Sequence, residues 1–324
     1  MKSLKSILVL MATSIAAATS GAVLAQEFPS QPIRLLVGFP AGGTVDGVAR
    51  VLAPALSEGL GQPVVVENRA GATGSIAAAA VATSPADGYT IGLVFDSHAA
   101  NHHLYRKLRY DPFKSFTYIS RLVTAPQILV SSNNIPASTP AELIKYAKAN
   151  PGKLNYASTG AGSSNHLNAL LLAKQAGIEA THIPYKGGAP AIIDMSSGQT
   201  EMFMIVSAPS TMPHVLAGRI KAIGVGSPKP LSHLPGLQPI ADALPGYTAS
   251  SWVGIIAPAG LPNNINARLQ KEIRKALESK DVIDRLTKAG YEIVGSSSEE
   301  FTAFMKVQSD LLGKVVRDNK LQLD

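Results

Sequence analysis

The chain has no cysteine in its 324 residues. That excludes disulfides, thiolate metal sites and a cysteine nucleophile. Charge is scarce, at 16% Asp, Glu, Lys and Arg, and the basic excess is mild, 29 Lys and Arg against 22 Asp and Glu. There is no dense Lys/Arg stripe of the kind nucleic-acid binding needs, so no nucleic-acid partner is expected. After residue 25 no stretch reaches 18 unbroken apolar residues, so no membrane span is expected. There is no phosphate-loop motif, no G-x-S-x-G elbow and no H-E-x-x-H. Gly160-Ala161-Gly162 begins a G-x-G, but Asn165 stands where a dinucleotide fingerprint needs its third glycine. No repeat of solenoid period is present. What remains is a chain with 46% hydrophobic residues, rich in Ala, Val and Ile. That composition fits buried parallel strands under packed helices, and the length fits about two domains.

The first 25 residues read as a leader. Lys2 and Lys5 form a basic start, Ile7 to Ala18 an apolar core too short to span a bilayer, and Val23-Leu24-Ala25 a small-residue cleavage site. Cleavage after about Ala25 and export follow. With no cysteine at the cut, the product is not a lipoprotein.

The mature chain is organised around one short stretch. Ile33 to Phe39 is a short apolar run, the pattern of a buried strand, and Val45, Val48, Ala49, Leu52 and Leu56 have helical spacing. Gly42-Gly43-Thr44 is therefore a strand-to-helix turn, with Thr44 as expected cap. Its amides lie on the positive end of the helix dipole and form an anion site. Asn68 to Ser75, containing Thr73, is a similar loop. A third runs from Tyr156 to His166 through Ser158, Thr159, Gly160, Ser163 and Ser164. Loops so far apart predict two lobes, each presenting a helix N-terminus to one ligand.

The rest of the chain has βαβα order, hence an α/β fold with parallel strands. Residues 97–112 are expected to be irregular. Phe116–Val123 and Gln127–Ser131 read as two strands with a hinge at Thr124-Ala125-Pro126. Thr139 with Pro140 starts a helix, and the helix from Ser164 stops at Gly177. Ser251–Ala257 reads as the strand that returns to the first lobe. Amphipathic helices follow over Asn263–Glu278, near Val282–Ala289 and from Ser298 to about Leu312. The lobes are expected at 26–125 with 250–324, and at 126–249.

Each candidate group has a plainer alternative. Asp46 is placed either to compensate a helix dipole or to meet a ligand amine or hydroxyl. Ser164 is a ligand group or a helix cap. His98, His102 and His103 form H-x-x-x-H-H with only Asp96 and Asp111 at ligand spacing and no H-E-x-x-H, so they read as loop histidines and no metal is expected. His182, His214 and His233 carry no pattern. Trp252 fits core packing at the lobe junction, and Tyr185 fits a pocket wall. No Ser/His/acid set stands out, so no catalytic residue and no cofactor is expected.

These residues resemble a known family. Pro40-Ala41-Gly42-Gly43-Thr44-Val45-Asp46, Val66-Glu67-Asn68-Arg69, Pro85-Ala86-Asp87-Gly88-Tyr89-Thr90, Tyr110-Asp111-Pro112, Ser158-Thr159-Gly160 with His166, Pro184-Tyr185-Lys186-Gly187-Gly188-Ala189-Pro190 and Trp252-Val253-Gly254 occur in the order seen in Bug-type receptors. These are the extracytoplasmic substrate-binding proteins of tripartite tricarboxylate transporters. Gly38 stands where the family often has proline. The resemblance implies a type II periplasmic-binding-protein fold, with two lobes around a cleft and a double-crossover hinge. It also implies a ligand carboxylate held between the loops at Gly42–Asp46 and Ser158–Ser164.

The expected function is a periplasmic receptor for a small organic carboxylate, probed by Gly42, Gly43, Thr44, Asp46, Thr73, Ser97, Ser158, Thr159, Gly160, Ser163, Ser164, Tyr185 and Ser207. Its expected partners are that ligand and inner-membrane transporter subunits, and the protein is expected to be a monomer. Two alternatives are a sensory adaptor that presents its ligand-bound form to a membrane kinase, and a secreted hydrolase or lyase using Asp46 and His98 as an acid/base pair.

Overall fold

A computed structural model describes residues 28–231, 234 and 236–323. The expected leader and His233 lie outside the described residues. The elements run β1 (Ile33–Val37), α1 (Thr44–Leu60), β2 (Val64–Asn68), α2 (Ser75–Ala82), β3 (Thr90–Phe95), α3 (His98–Leu104), β4 (Phe116–Ser131) and α4 (Pro140–Ala149). Then come β5 (Asn155–Ser158), α5 (Ser164–Ala176), β6 (Thr181–Pro184), α6 (Gly188–Ser197), β7 (Met202–Ser207), α7 (Ala208–Leu216) and β8 (Lys221–Val225). The chain closes with β9 (Ser250–Pro258), α8 (Asn263–Glu278), α9 (Lys280–Lys288), β10 (Glu292–Ile293) and α10 (Ser298–Asp318).

The strand order is β2-β1-β3-β9-β4-β7-β5-β6, with β8 and β10 also paired to β4. In the first half β1 lies parallel between β2 and β3, and β9 is antiparallel to both β3 and β4. In the second half β5 pairs parallel with β6 and β7. Two lobes result, joined where β4 passes out and β9 comes back.

Strand β4 is the joint. The sequence reading split it in two at Thr124-Ala125-Pro126, but it is one strand of 16 residues. Its first part, to Pro126, pairs with β9, and its second, from Gln127, pairs with β7 and β8. Proline has no N–H to give a ladder, and the partner exchange falls at this residue. The expected irregular stretch 97–112 also contains helix α3, whose Ala99, Ala100 and Leu104 are buried.

The helices follow from their apolar faces. Helix α1 buries Val45, Val48, Ala49, Leu52, Leu56 and Leu60, each large aliphatic contributing roughly 1.5–3 kcal/mol. It ends at Gly61, whose φ of 72° is left-handed. Thr139 accepts a bond from the Glu142 amide with Pro140 next to it, as the cap pattern requires. Helix α10 opens with a capping box of Ser297 and Glu300. It runs beyond the expected Leu312 because Val315 and Val316 continue the buried face.

The lobes share a core. Leu36, Val81 and Val94 of the first half join one buried cluster with Leu167 and Phe203 of the second. Trp252 sits in that cluster, edge-on to Phe301 and Phe304 at 5.6 and 5.5 Å.

Candidate functional site

A cavity of about 420 Å³ lies between the lobes beside β4 and β9. Four helices begin on its wall. Gly43, Thr44 and Val45 start α1, Ser164 and Asn165 start α5, Gly188 and Ala189 start α6, and Ser207 precedes α7. The first amides of a helix have no partner within it. The N-cap positions of α1, α6 and α7 make no side-chain cap hydrogen bond. Only α5 is capped, by Ser163, which accepts from the His166 amide. Four positive dipole ends thus meet at one space.

No lysine, arginine, aspartate or glutamate lines the cavity among the described residues, and His214 is its one titratable side chain. Phe39, Phe95, Ile192 and Val206 supply apolar walls, and Gln127 and Ser251 reach in from the two crossing strands. Such a site suits a small anion with an apolar body. Backbone dipoles take its charge without a full counter-charge.

Of the expected residues, Gly43, Thr44, Thr159, Ser164 and Ser207 come together on this wall. Thr44 does so as the first helical residue, since Gly43 takes the cap position. Thr159 donates to Asn165 Oδ1 at 2.8 Å, and Asn165 Nδ2 donates to the Ile205 carbonyl.

The others are engaged elsewhere in this structure. Asp46, weighed as a ligand partner, is 1% exposed. It accepts from the Gly42 amide at 2.8 Å, from Arg50 Nε at 2.8 Å and from Asn68 Nδ2 at 2.9 Å. The Arg50 hydrogen bond leads in holding its carboxyl down to about 2. Asp46 is a brace for the turn, and it consumes the Gly42 amide. Gly42 lines a neighbouring cleft, of about 460 Å³, with Tyr291, Arg285 and Lys288.

Ser158 is fully buried and bonds to His182 Nε2 at 2.7 Å. Ser163 donates to the Gly160 carbonyl, so both serve the loop itself. The Thr73 hydroxyl meets Asn101 at 2.6 Å, and Ser97 donates to the Thr73 carbonyl. Neither lines the cavity, and Thr73 shares a small adjoining space with Phe39 and Phe95. Tyr185 turns its hydroxyl to Asp194, off the cavity wall.

The histidines are structural partners. The His98 ring nitrogens meet Tyr110 and Tyr118, and burial holds His98 neutral, down to about 3. Asp46 and His98 therefore have separate partners and form no acid/base pair. His102 and His103 pack on Ser309 of α10. His182, which carried no pattern, stacks 4.0 Å from His166 of α5, the helix that follows the Ser158–Ser163 loop. His214, equally unmarked, reaches the cavity. Sequence reading missed these two and Gln127, Asn165 and Ser251, because each is brought in by tertiary packing.

Comparison with known proteins agrees with this geometry. The profile of the tripartite tricarboxylate transporter family receptor matches residues 48–321. The chain is 37% identical over 296 residues to the UPF0065 protein in the tcbD-tcbE intergenic region of Pseudomonas sp. (strain P51), covering 91% of this chain and 88% of that one. It is 33% identical over 304 residues to protein BugT of Bordetella pertussis, covering 93% of each. The solved structure of R. palustris Rpa4515 with adipate superposes with a TM-score of 0.80 at 34% identity, covering 92% of this chain and all of the other. With two lobes, a double crossover and a cleft of helix N-termini, the chain belongs to the Bug-type receptors of the tripartite tricarboxylate transporter family.

Proposed function

We propose that the protein is a periplasmic receptor that captures a small organic carboxylate between its lobes and delivers it to a tripartite transporter in the inner membrane. The convergence of four helix N-termini on a cavity with no lysine or arginine in its lining carries this reading. The adipate held by the R. palustris relative supports the ligand class. One carboxylate is met by the amides of Thr44 and Val45 and by the hydroxyl of Ser164, and the apolar walls hold the carbon chain. The lobes, 26–125 with 250–324 and 126–249, close as a monomer about Pro126 and Ser250. Nothing in the site is assigned to turnover.

Native mass spectrometry of the purified protein tests this, with any bound small molecule released and identified. The expected species is a carboxylate returned unchanged. An empty protein would then be titrated with adipate, malate and glutamate. Failure to bind any carboxylate, or chemical conversion of one, overturns the proposal.

A further inference from the structure

One buried carboxyl stands behind the cavity wall without a partner. Asp96 follows β3, is 4% exposed, and neither of its oxygens makes a hydrogen bond. An unpaired charge in such a place is costly. Burial accordingly pushes the Asp96 carboxyl up to about 7. The Ser251 and Ser164 hydroxyls and the Ser97 amide lie alongside and oppose that rise, though none is aligned to complete a hydrogen bond.

Ser164 and Ser251 also form part of the cavity wall. They come from different parts of the fold. Ser164 opens α5 in the second lobe, and Ser251 lies on the crossing strand β9. A layer of two hydroxyls therefore separates Asp96 from the space for the anion.

The hydrogen-bond accounting leaves these hydroxyls a choice. Gln127 Nε2 donates to Ser251 Oγ at 2.9 Å, and Gln127 Oε1 is occupied by Asn168 Nδ2 at 2.7 Å. The amide orientation is thus fixed, and Ser251 keeps one proton to give, either back to Asp96 or forward into the cavity. Ser164 has the same two directions. An ionised Asp96 draws both protons and leaves lone pairs facing the ligand. A protonated Asp96 releases them to the ligand.

Other titratable groups nearby stay neutral. His98 is tied to Tyr110 and Tyr118, and burial holds His166 of α5 down to about 4. Tyr291, before β10, feels the charge of Asp96, and its phenol is pushed up to about 12, chiefly by burial. From β9 come only Ser251 and the uncharged Trp252. Among the described residues no lysine or arginine bears on the Asp96 carboxyl.

We propose that Asp96 is a proton-linked positioning residue, which competes with the ligand carboxylate for the hydroxyl protons of Ser164 and Ser251. Capture of the anion then takes up one proton from solvent, forming one O–H bond at Asp96 and breaking none in the ligand. The inference rests on the reading of the chain as a carboxylate receptor.

The test is calorimetric titration with adipate and with malate in buffers of different ionisation heat, across pH 6 to 9. Wild type is expected to take up close to one proton per ligand near pH 8. Its affinity should fall about tenfold per pH unit above pH 7. Asp96→Asn should take up none and show a flat profile. Binding by wild type without proton uptake, or uptake that persists in Asp96→Asn, overturns the inference and leaves the receptor reading intact. If Asp96→Asn fails to fold, Asp96→Ser is titrated in its place, and uptake that persists in it overturns the inference. Failure of every carboxylate to bind removes both.

Discussion

Gln127 Oε1 accepts a hydrogen bond from Asn168 Nδ2 at 2.7 Å, and both side chains are buried. Gln127 lies on β4 immediately after the partner exchange, and Asn168 lies on α5. The same amide reaches Ser251 on β9. One side chain therefore ties together the outgoing strand, the returning strand and the second site helix.

Gln127→Leu is expected to destabilise the protein by about 2–4 kcal/mol, because Asn168 and Ser251 are both left buried without a partner. Ligand affinity should fall as well, since Ser251 loses its orientation. Denaturant melts and titration of the same variant measure the two effects. A variant as stable as the parent would remove the tie.

The brace at Asp46 predicts an acid-dependent term. Its folded pKa is held below the unfolded value. Its contribution is therefore complete above about pH 4 and is lost as pH falls toward 2. The Arg50 partner is half exposed, so solvent screens the pair and about 1–2 kcal/mol is expected. Asp46→Asn should lose that amount at pH 7 and flatten the melting profile between pH 4 and 2. An unchanged profile would show that another group carries it.

The stacked imidazoles act in a higher window. Burial, with His182 adding to it, brings His166 from 6.5 down to about 4, and burial lowers His182 too. The unfolded chain binds these protons below pH 6.5 and the folded chain refuses them. Stability should thus decline as pH drops from 6.5 toward 4. His166 Nδ1 accepts the Gly162 amide at 3.1 Å, so the Ser158–Ser163 loop should loosen first. His166→Gln should bind up to one proton fewer on unfolding near pH 5, measured by the pH dependence of stability.

Gly226→Ala tests the crossing. A Cβ there would lie 2.3 Å from the Ala249 carbonyl oxygen. The backbones are held together because the Ala249 amide donates to the Gly226 carbonyl and the Gly226 amide to Gln127. Relief requires β9 to move, and a loss of about 2 kcal/mol or more is expected in thermal melts.

Much of this was legible in the residues. The three loops announce themselves because glycines and hydroxyls interrupt a shift from strand to helix spacing. What spacing cannot convey is which hydroxyl in a loop looks outward. Ser158 and Ser163 have the chemistry of ligand donors, yet they close their own loop, while their neighbours Thr159 and Ser164 face the cavity. Pro126 looked like the end of a strand because a proline ends one ladder, but a different pair of neighbours takes over at the next residue. His214, Gln127 and Ser251 have no local signal, since only the packing of distant segments gives them a site to line. Asp96 is visible as an acid after an apolar run, but its lack of a partner is a property of the folded molecule.

The place of β9 between β3 and β4 dictates an order of events. The first sheet cannot close until residues 250–258 exist, more than 150 positions after β3 ends. The contacts that complete it are among the most distant in the sequence, and such topologies fold slowly. A nascent chain lacking its last quarter holds an open edge on β3 and an unpaired flank on β4. Its first sheet therefore gains its central antiparallel member only when synthesis has entered the last quarter of the chain.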